Sequence, residues 1–404
     1  MIILGIETSC DETALALIET QGEGSAREYR VIASLILSQA ELHSAYGGVY
    51  PTLAKREHGK NIVPLLHRLF EQAGLPRRSP SVGQDSPAQG LSETLDSFRT
   101  EVGSQNPELF ESFAQAEFLE QAPAIDLIAV TEGPGLEPAL WVGINCARML
   151  AALWGTPLLP VNHMEGHIIG SLLPSDLVDG AWQKLYELPL PAVALLASGG
   201  HTELVRIDSL AHYEIVGETR DDAVGEAFDK AARLLGLPYP GGPRLAELSA
   251  QAATAGIISP VKLPRPMLGS DDLDFSFSGL KTAVLYAVRD ADKTPDGQLP
   301  DDFKKGLARE FEQAVVETLD TKLRSAIEKI GARSIVIGGG VSANLALRER
   351  FGETAREHGI PIFLPSRHIA GDNALMIALS GAIGFTTPRT EKLRAQGTKR
   401  LGEE

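Results

Sequence analysis

The chain has 404 residues, of which 43% are hydrophobic, and a formal net charge of −16 at neutral pH. This length is sufficient for two or three globular domains with substantial cores. The acidic balance excludes a protein that binds nucleic acid over its whole surface. Only two cysteines occur, which excludes a disulfide framework and a cysteine-based metal cluster, so we expect a globular protein of the reducing cytoplasm.

Neither a signal peptide nor a membrane span is expected. The apolar start of the chain has no basic flank, and carboxylates at Glu7, Asp11 and Glu12 follow at once. The most apolar stretch, residues 138–161, contains an arginine and is broken by a glycine and a proline. It therefore predicts a buried helix followed by a strand, with no membrane contact.

Local groups of basic residues could contact phosphate, although a solvated surface is the commoner meaning of such groups. Charge alone therefore does not identify the partner. The groups are Lys262 with Arg265, Lys304 with Lys305, and Lys392, Arg394, Lys399 and Arg400 near the end of the sequence.

In chain order, the first half opens with three strand-like runs in close succession, residues 2–6, 14–18 and 31–37, as in an antiparallel meander. Apolar spacing then predicts a helix over residues 51–73. Residues 76–123 are rich in Ser, Gln, Pro and Glu, which predicts an inserted, partly mobile segment in which residues 107–121 could form a short helix. A strand at 127–131, a Gly-Pro-Gly turn and an apolar helix to Trp154 follow.

The second half repeats this plan. Strand-like runs at residues 192–197, 202–207 and 213–217 are followed by helices, a strand at 334–337 and another helix from Ser342. Two series of this kind predict a duplicated α/β lobe with a ligand cleft between the copies. No repeat is evident residue by residue, so the duplication is inferred from the pattern of elements.

Two histidines four residues apart, His163 and His167 in the sequence HMEGH, are the strongest candidates for chemistry. On a helix this spacing puts both imidazoles on one face, where they can bind one divalent metal ion. An isolated pair is about as often a pair of core or surface histidines. Glu165 lies midway between them, whereas a zinc protease has its glutamate beside the first histidine, so the pattern favours a metal site without the protease base.

A third ligand could come from Asp372, at the predicted start of a late apolar helix, where capping the helix is its default role. With the two histidines it would complete a His-His-Asp site that leaves coordination positions open for substrate oxygens. Such a set suits iron or zinc, and the ligand types do not separate the two metals.

Polar turns separate the first two predicted strands of each half, at residues 8–13 and 198–202. Glycine amides and hydroxyls in such turns can bind phosphate. A plain hairpin turn is the commoner explanation of either one alone. Their matching positions in the two half-repeats favour a shared ligand.

Three further features of the second half could face a nucleotide. Residues 338–344, GGGVSAN, join a strand to a helix, where close backbone approach to a nucleoside or phosphate is expected, although Ser342 is also an adequate helix cap. Residues 239–243 could form a pocket wall or a simple loop. Asp229, on a predicted helix, could hold a ribose or pair with Lys230.

These motifs together resemble the family of tRNA N(6)-adenosine threonylcarbamoyltransferases, the TsaD or Gcp family, formerly described as O-sialoglycoprotein endopeptidases. The resemblance covers nearly the whole chain. It is carried by GIETSCDET (5–13), HSAYGGVYPTLAKREH (43–58), GPGL (133–136), HMEGH (163–167), ASGGHTEL (197–204), GEAFDKAARLLGLPYPGGP (225–243), DFSFSGLKT (274–282), GGGVSAN (338–344) and GDNALMIA (371–378).

The resemblance implies the α/β fold of the actin-like ATPases (ASKHA), with two duplicated RNase H-like lobes around a nucleotide cleft. We place the N-terminal lobe at residues 1–160, with a family-atypical insertion at 76–123, and complete it with residues 377–404. The C-terminal lobe would be residues 161–376 and would carry most of the metal and nucleotide ligands.

The resemblance also implies roles for individual residues. His163, His167 and Asp372 would bind one divalent metal per subunit, Fe²⁺ in the usual description of bacterial members, with Zn²⁺ as the alternative. Asp11 matches a position regarded as functionally important and is the best candidate for a general base, or else it orients a substrate hydroxyl. The residues that would contact threonylcarbamoyl-AMP are Leu196, Ala197, Ser198, Gly199, Gly200, Asp229, Gly242 and Asn344.

The implied reaction moves the threonylcarbamoyl group to the exocyclic amine of the tRNA adenosine 3′-adjacent to the anticodon, and AMP leaves. The helper proteins TsaB and TsaE are implied as partners. The long insertion, and Glu137 and Pro138 after GPGL, depart from the family pattern. Three alternatives stay open: an actin-fold phosphotransferase, which has no need of the His-His-Asp set, a metalloprotease, which has no need of the phosphate-type turns, and a non-catalytic partner subunit of the same fold.

Overall fold

The computed structural model describes residues 1–22, 27–76, 87–121, 123–174, 180–384 and 393–403. The strands, in chain order, are β1 (Ile2–Glu7), β2 (Glu12–Gln21), β3 (Glu28–Ser38), β4 (Leu127–Gly133), β5 (Leu158–Asn162), β6 (Ala192–Ala197), β7 (Thr202–Ser209), β8 (His212–Glu218), β9 (Ser334–Gly338) and β10 (Ile362–Phe363). They confirm each strand predicted from the sequence.

The helices are α1 (Ala40–Ser44), α2 (Pro51–Ala73), α3 (Pro87–Phe98), α4 (Glu101–Gln105), α5 (Pro107–Ala114), α6 (Glu137–Trp154), α7 (His163–Ser171), α8 (Val224–Leu234), α9 (Gly241–Ala255), α10 (Ser278–Asp290), α11 (Asp301–Ile330), α12 (Leu345–His358) and α13 (Ala374–Gly384). Short 3₁₀ turns lie at Glu117–Glu120 and Gly340–Ala343. Among the described helices, none combines the length and hydropathy that crossing a bilayer requires.

The chain forms two compact units. The first comprises Met1–Gln39, Val49–Glu187 and Asp372–Glu404, and the second comprises Ala40–Gly48 and Leu188–Gly371. These bounds differ from the predicted lobes, 1–160 with 377–404 and 161–376. The difference arises because β5 pairs with β4 in the first sheet and leads directly into α7, which packs against α13. Both histidines and Asp372 consequently belong to the first unit.

The sheet of the first unit has the strand order β3-β2-β1-β4-β5. The first three strands are antiparallel neighbours, and β4 and β5 extend the sheet in parallel with β1. Because side chains alternate along a strand, Leu4 and Ile6 point into a core shared with α2 and α6. Gly5 faces α13, and a Cβ on it would lie 2.3 Å from the Ala374 carbonyl oxygen. This glycine lets α13 lie directly on the sheet.

Within residues 76–123, where the sequence predicted an inserted, partly mobile segment with one short helix, the described residues form three packed helices. Helices α3, α4 and α5 contribute Leu91, Val102, Leu109 and Phe113 to the core of the first unit. The helix expected at 107–121 is confirmed over α5, which ends at Ala114, and a 3₁₀ turn follows. Residues 77–86 and 122 lie outside the described residues.

The sheet of the second unit has the order β10-β9-β6-β7-β8. Strands β6, β7 and β8 are antiparallel neighbours, while β9 and β10 are parallel to β6. Strand for strand this is the arrangement of the first sheet, so the predicted duplication is confirmed. The long helix α11 lies in the core with α8 and α9. Two such mixed sheets are the actin-like ATPase fold that the resemblance implies.

Candidate metal centre and nucleotide-binding residues

Helix α7 presents both histidines of the HMEGH motif. It begins immediately after β5, where Asn162 caps it by accepting hydrogen bonds from the backbone N–H groups of Met164 (2.9 Å) and Glu165 (3.4 Å). The four-residue spacing brings the rings of His163 and His167 onto one face, with centroids 4.7 Å apart. Both side chains are buried. The two imidazoles thus lie on one face of a helix, as the sequence predicted.

Asp372 completes the group from the other side. Its Oδ1 lies 3.4 Å from His163 Nε2 and 3.2 Å from His167 Nε2. Capping of α13, which was the default role for Asp372, belongs to its neighbour: Asn373 Oδ1 accepts from the Met376 N–H at 3.0 Å. Asp372 is therefore not needed for the helix and is available as a ligand.

The three side chains fit a metal ion. Their candidate ligand atoms lie within 4.8 Å of one another. The buried Nε2 of His167 makes no well-directed hydrogen bond among the described residues and has Asp372 Oδ1 3.2 Å away as its polar neighbour, so a cation between the two atoms would satisfy both. Two imidazoles and one carboxylate suit iron or zinc and leave coordination positions for substrate.

The protonation states also favour a cation at this position. Burial alone would lower the pKa of His163, but the carboxylates of Asp372 and Glu7 outweigh it and hold that pKa well above its ordinary value. Burial alone would raise the pKa of Asp372, and the two histidines instead lower it well below its usual range. The carboxylates of Asp372 and Glu7 thus stabilise a positive charge at His163.

The first polar turn lies beside this group and is fixed by a helix. His58 of α2 is fully buried, with its Nε2 3.0 Å from the Cys10 carbonyl oxygen and its Nδ1 2.7 Å from Thr13 Oγ1. Gly135 closes the opposite side, because a Cβ there would lie 2.7 Å from Ser9. The sequence indicated the turn but not the role of His58.

Asp11, the candidate catalytic residue, is buried in this turn and interacts with Glu12. Burial and the nearby carboxylates of Asp11 and Asp372 raise the pKa of Glu12 to about 9. Burial and Asp11 likewise raise the pKa of the Cys10 thiol well above its ordinary value. Burial beside Asp11 therefore favours the uncharged form of Glu12.

In the second unit, the turn after β6 is built as the sequence predicts. Leu196 and Ala197 end the strand, and Ser198 Oγ accepts from the N–H groups of Gly200 (3.3 Å) and His201 (3.1 Å). A Cβ on Gly199 or on Gly200 would meet nothing within 4 Å. The turn therefore exposes backbone to open space.

The other predicted contacts lie on or next to helices: Asp229 on α8, Gly242 on α9 and Asn344 immediately before α12. The Oδ1 of Asp229 on α8 accepts from the N–H groups of Gly241 (2.7 Å) and Gly242 (3.3 Å) and so joins α8 to the start of α9. Lys230 forms ion pairs with Asp222 and Glu226. Gly339 approaches the end of β6 so closely that a Cβ would lie 2.3 Å from the Ala197 carbonyl oxygen.

Asn344 is held by a residue that the sequence did not indicate. Its Oδ1 caps α12 by accepting from the Leu347 N–H at 3.0 Å, and its Nδ2 donates to Glu312 Oε1 at 2.6 Å. The other oxygen of this buried glutamate accepts from Ser249 Oγ at 2.5 Å. Both polar atoms of the Asn344 amide thus have fixed orientations.

Comparison with known proteins shows which family this chain is similar to. The family model for tRNA N6-adenosine threonylcarbamoyltransferase (TsaD) matches residues 30–80 and 107–379. Proteins of that name from Paraburkholderia xenovorans and from Polaromonas sp. are 41% and 39% identical over 383 residues, which is 95% of this chain and 92% and 91% of theirs. Among solved structures, full-length HypF aligns with a TM-score of 0.48 at 12% identity, over 95% of this chain and 46% of that one.

The matched segments include every residue of the candidate metal centre and every candidate nucleotide contact, while Asp11 precedes them. With such a match, and with relatives aligned almost from end to end at about two-fifths identity, the chain belongs to the family of tRNA N6-adenosine threonylcarbamoyltransferases.

Proposed function

We propose that this protein transfers the threonylcarbamoyl group from threonylcarbamoyl-AMP to the exocyclic amine of the adenosine 3′-adjacent to the anticodon, in tRNAs that read codons beginning with adenine. The amine nitrogen forms a bond to the carbamoyl carbon, the bond from that carbon to the phosphate oxygen breaks, and AMP leaves. The amine loses one proton. The observation that carries this proposal is the convergence of His163, His167 and Asp372 in a chain of this family.

The three converging side chains would hold one divalent metal, Fe²⁺ or Zn²⁺. When bound, the metal would supply a positive centre for the threonyl oxygens or for the carbamoyl oxygen. The chain's own contribution is to keep Asp372 Oδ1 and the two Nε2 atoms pointed at one place, since α7 and α13 pack against each other. Metal sites depend on this kind of rigid support.

The nucleotide part of the substrate is assigned to the second unit. The Ser198–Gly200 turn would take the phosphate and carbamoyl region, because its backbone faces open space. Asp229 would take the ribose hydroxyls and Gly242 the adenosine. Asn344 uses its oxygen and one of its two N–H bonds within the protein, so it would contact adenine as a donor to a ring nitrogen.

Asp11 is the proposed acceptor of the amine proton. It is a carboxylic residue buried in the turn beside the metal ligands, which is the residue type and the position that a general base at this site requires. AMP is a stabilised leaving group, and much of the rate enhancement can come from positioning and anion stabilisation. Replacing Asp11 by asparagine should therefore lower turnover while zinc affinity stays within a few-fold of the parent value.

The tRNA would contact a limited basic surface, for which the described part of the second unit offers a candidate. Arg265 is enclosed by Glu310 and Glu317, and Lys399 of the first unit is paired with Glu132, so neither is available to phosphate. Lys392 lies outside the described residues. The described basic residues near Arg265 that form no ion pair are Lys262, Lys304, Lys305 and Arg309.

A cavity of about 310 Å³ is lined by two of these four cations, Lys262 and Arg309. Each alanine substitution there should reduce the slope of log affinity against log salt for tRNA by about 1. Arg289→Ala, which removes an exposed cation already paired with Asp290, should leave the slope unchanged. The isolated chain should show only a modest salt dependence, and a steep one would contradict a limited basic surface.

A reconstituted transfer reaction tests the function. The protein, its expected partners TsaB and TsaE, threonylcarbamoyl-AMP and unmodified tRNA are combined, and the nucleosides of the digested tRNA are separated by mass. We expect threonylcarbamoyladenosine and AMP in equal amounts, and loss of both with His163→Ala. Undiminished product from that variant would overturn the metal role, transfer of phosphate to a small acceptor would favour a phosphotransferase, and peptide cleavage by the pure protein would favour a metalloprotease.

A further inference from the structure

Glu7 is a fully buried carboxylate that none of the roles above uses. It ends β1, with no exposed surface. Its Oε2 lies 3.0 Å from His163 Nδ1 and accepts from Thr131 Oγ1 at 2.5 Å, while its Oε1 accepts from the backbone N–H of Ser9. Burying a carboxylate is costly unless it is hydrogen-bonded or paired. His163 thus faces Glu7 with its Nδ1 and Asp372 with its Nε2.

These contacts determine which nitrogen of His163 can bind a metal. An ionised carboxylate only accepts hydrogen bonds, so the ring nitrogen that faces Glu7, Nδ1, must carry a hydrogen. The lone pair of the neutral ring then lies on Nε2, the atom that faces Asp372. Ser9 Oγ, 3.3 Å from Nδ1, stands on the same side and can accept as well.

We propose that Glu7 is a positioning residue for the metal centre, which holds His163 in the tautomer and ring orientation that present Nε2 as the ligand. The inference rests on the metal site of the proposed function. Carboxylates that hydrogen-bond to the far nitrogen of a ligating histidine typically change metal affinity about 10- to 100-fold when removed. Glu7, Thr131 and Ser9 form such a support here.

The arrangement of donors around Glu7 makes Glu7→Gln a sharp test. Thr131, Ser9 and His163 all direct hydrogens at the two carboxylate oxygens. An amide has the same shape but turns one acceptor into a donor. If its NH₂ group faces Ser9, two donors meet there; if it faces His163, the ring is driven to the tautomer with hydrogen on Nε2. Either orientation of the amide should weaken metal binding, and neither should leave a cavity in the core.

Metal affinity is measured by competition between the purified metal-free protein and a chelator for Zn²⁺. We expect Glu7→Gln to bind Zn²⁺ about 10- to 100-fold more weakly than the parent chain. Glu165→Gln is the matched control, because it removes a carboxylate between the two histidines without touching Nδ1 of His163, and it should change the affinity less than threefold. Equal affinities for the parent chain and Glu7→Gln would overturn the proposal.

A measurement on the unmutated protein covers the case in which Glu7→Gln does not fold. In the Zn²⁺-loaded chain with ¹⁵N-labelled histidine, NMR should show His163 bound through Nε2, with a hydrogen on Nδ1 that exchanges slowly. Binding through Nδ1 would refute the role of Glu7. If His163→Ala leaves Zn²⁺ affinity unchanged, the metal site itself is misassigned; if zinc binding depends on Glu7 but no threonylcarbamoyladenosine forms, the proposed function fails and the role of Glu7 stands.

Discussion

Replacing Gly5 by alanine should displace α13 and, with it, the candidate ligand Asp372. A methyl group on Gly5 would lie 2.3 Å from the carbonyl oxygen of Ala374 and 2.9 Å from the Cβ of Ala378. Non-bonded heavy atoms normally approach to about 3.5 Å, so the helix must retreat by roughly 1 Å. Asp372 directly precedes this helix and must follow it.

The loss of stability expected for Gly5→Ala depends on the kind of atom that obstructs the new methyl group. Overpacking costs about 1–3 kcal/mol, and a backbone oxygen cannot rotate away, which places Gly5→Ala in the upper part of that range. The reduced freedom of the unfolded chain offsets about 0.4–1 kcal/mol. We expect a net loss of about 2 kcal/mol in the free energy of unfolding, together with weaker Zn²⁺ binding, because ligands must be held within about 0.5 Å.

Gly166→Ala is the control for this prediction. Its methyl group would also point at α13, but the nearest atoms, at 3.0 and 3.1 Å, are side-chain atoms of Ile377 and Met376, which can move. Alanine also gains about 1 kcal/mol of helix propensity. Urea unfolding and a zinc competition titration compare the two variants. If Gly5→Ala matches the parent chain in both assays, or if Gly166→Ala is the more damaging, the packing of α13 does not govern the site.

Three further predictions concern single groups. Asn373→Ala removes the cap of α13 and should cost about 0.5–2 kcal/mol of unfolding free energy; an unchanged urea midpoint would contradict the capping role. Near neutral pH, Zn²⁺ binding should release a proton, because the raised pKa of His163 leaves it protonated in the metal-free protein; binding heats that do not vary with the buffer's ionisation enthalpy would contradict this. Glu312→Ala frees the Asn344 amide and should weaken AMP binding without changing Zn²⁺ affinity, as calorimetry can show.

The same pKa shifts set the pH range in which the metal-free first unit is most stable. The pKa of His163 is raised by folding, so its contribution is complete below the unfolded value of about 6.5 and is lost as the pH rises through the folded value. The pKa of Asp372 is lowered, so its contribution is lost as the pH falls below its ordinary value of 3.8. His163 and Asp372 together therefore stabilise the metal-free fold most between about pH 3.8 and pH 6.5.

Local patterns predicted a large part of this molecule. The strands, the duplicated plan and the pairing of His163 with His167 each depend on residues within a few positions of one another, which periodicity and spacing report directly. The four-residue histidine spacing needed only a helix, and β5 followed by the Asn162 cap provides one.

Contacts between distant segments could not be predicted in this way. Glu7 stands at the end of an ordinary apolar strand, and its partner His163 lies 156 residues away. Glu312 lies within a long helix, and nothing in its local sequence indicates Asn344 as its partner. The two helices between residues 87 and 105 were not predicted, because Ser, Gln and Glu are frequent in them and only a few apolar residues, among them Leu91 and Val102, are buried.

A crystal structure of the chain with bound metal and a non-reacting analogue of threonylcarbamoyl-AMP would show whether His163, His167 and Asp372 hold an ion that contacts the substrate. Anomalous scattering recorded at the iron and zinc absorption edges locates and identifies the ion. We predict a single ion about 2.0–2.2 Å from His163 Nε2, His167 Nε2 and Asp372, with an oxygen of the analogue's threonylcarbamoyl part as a further ligand. An ion bound elsewhere, or an analogue bound without contact to the ion, would contradict the account.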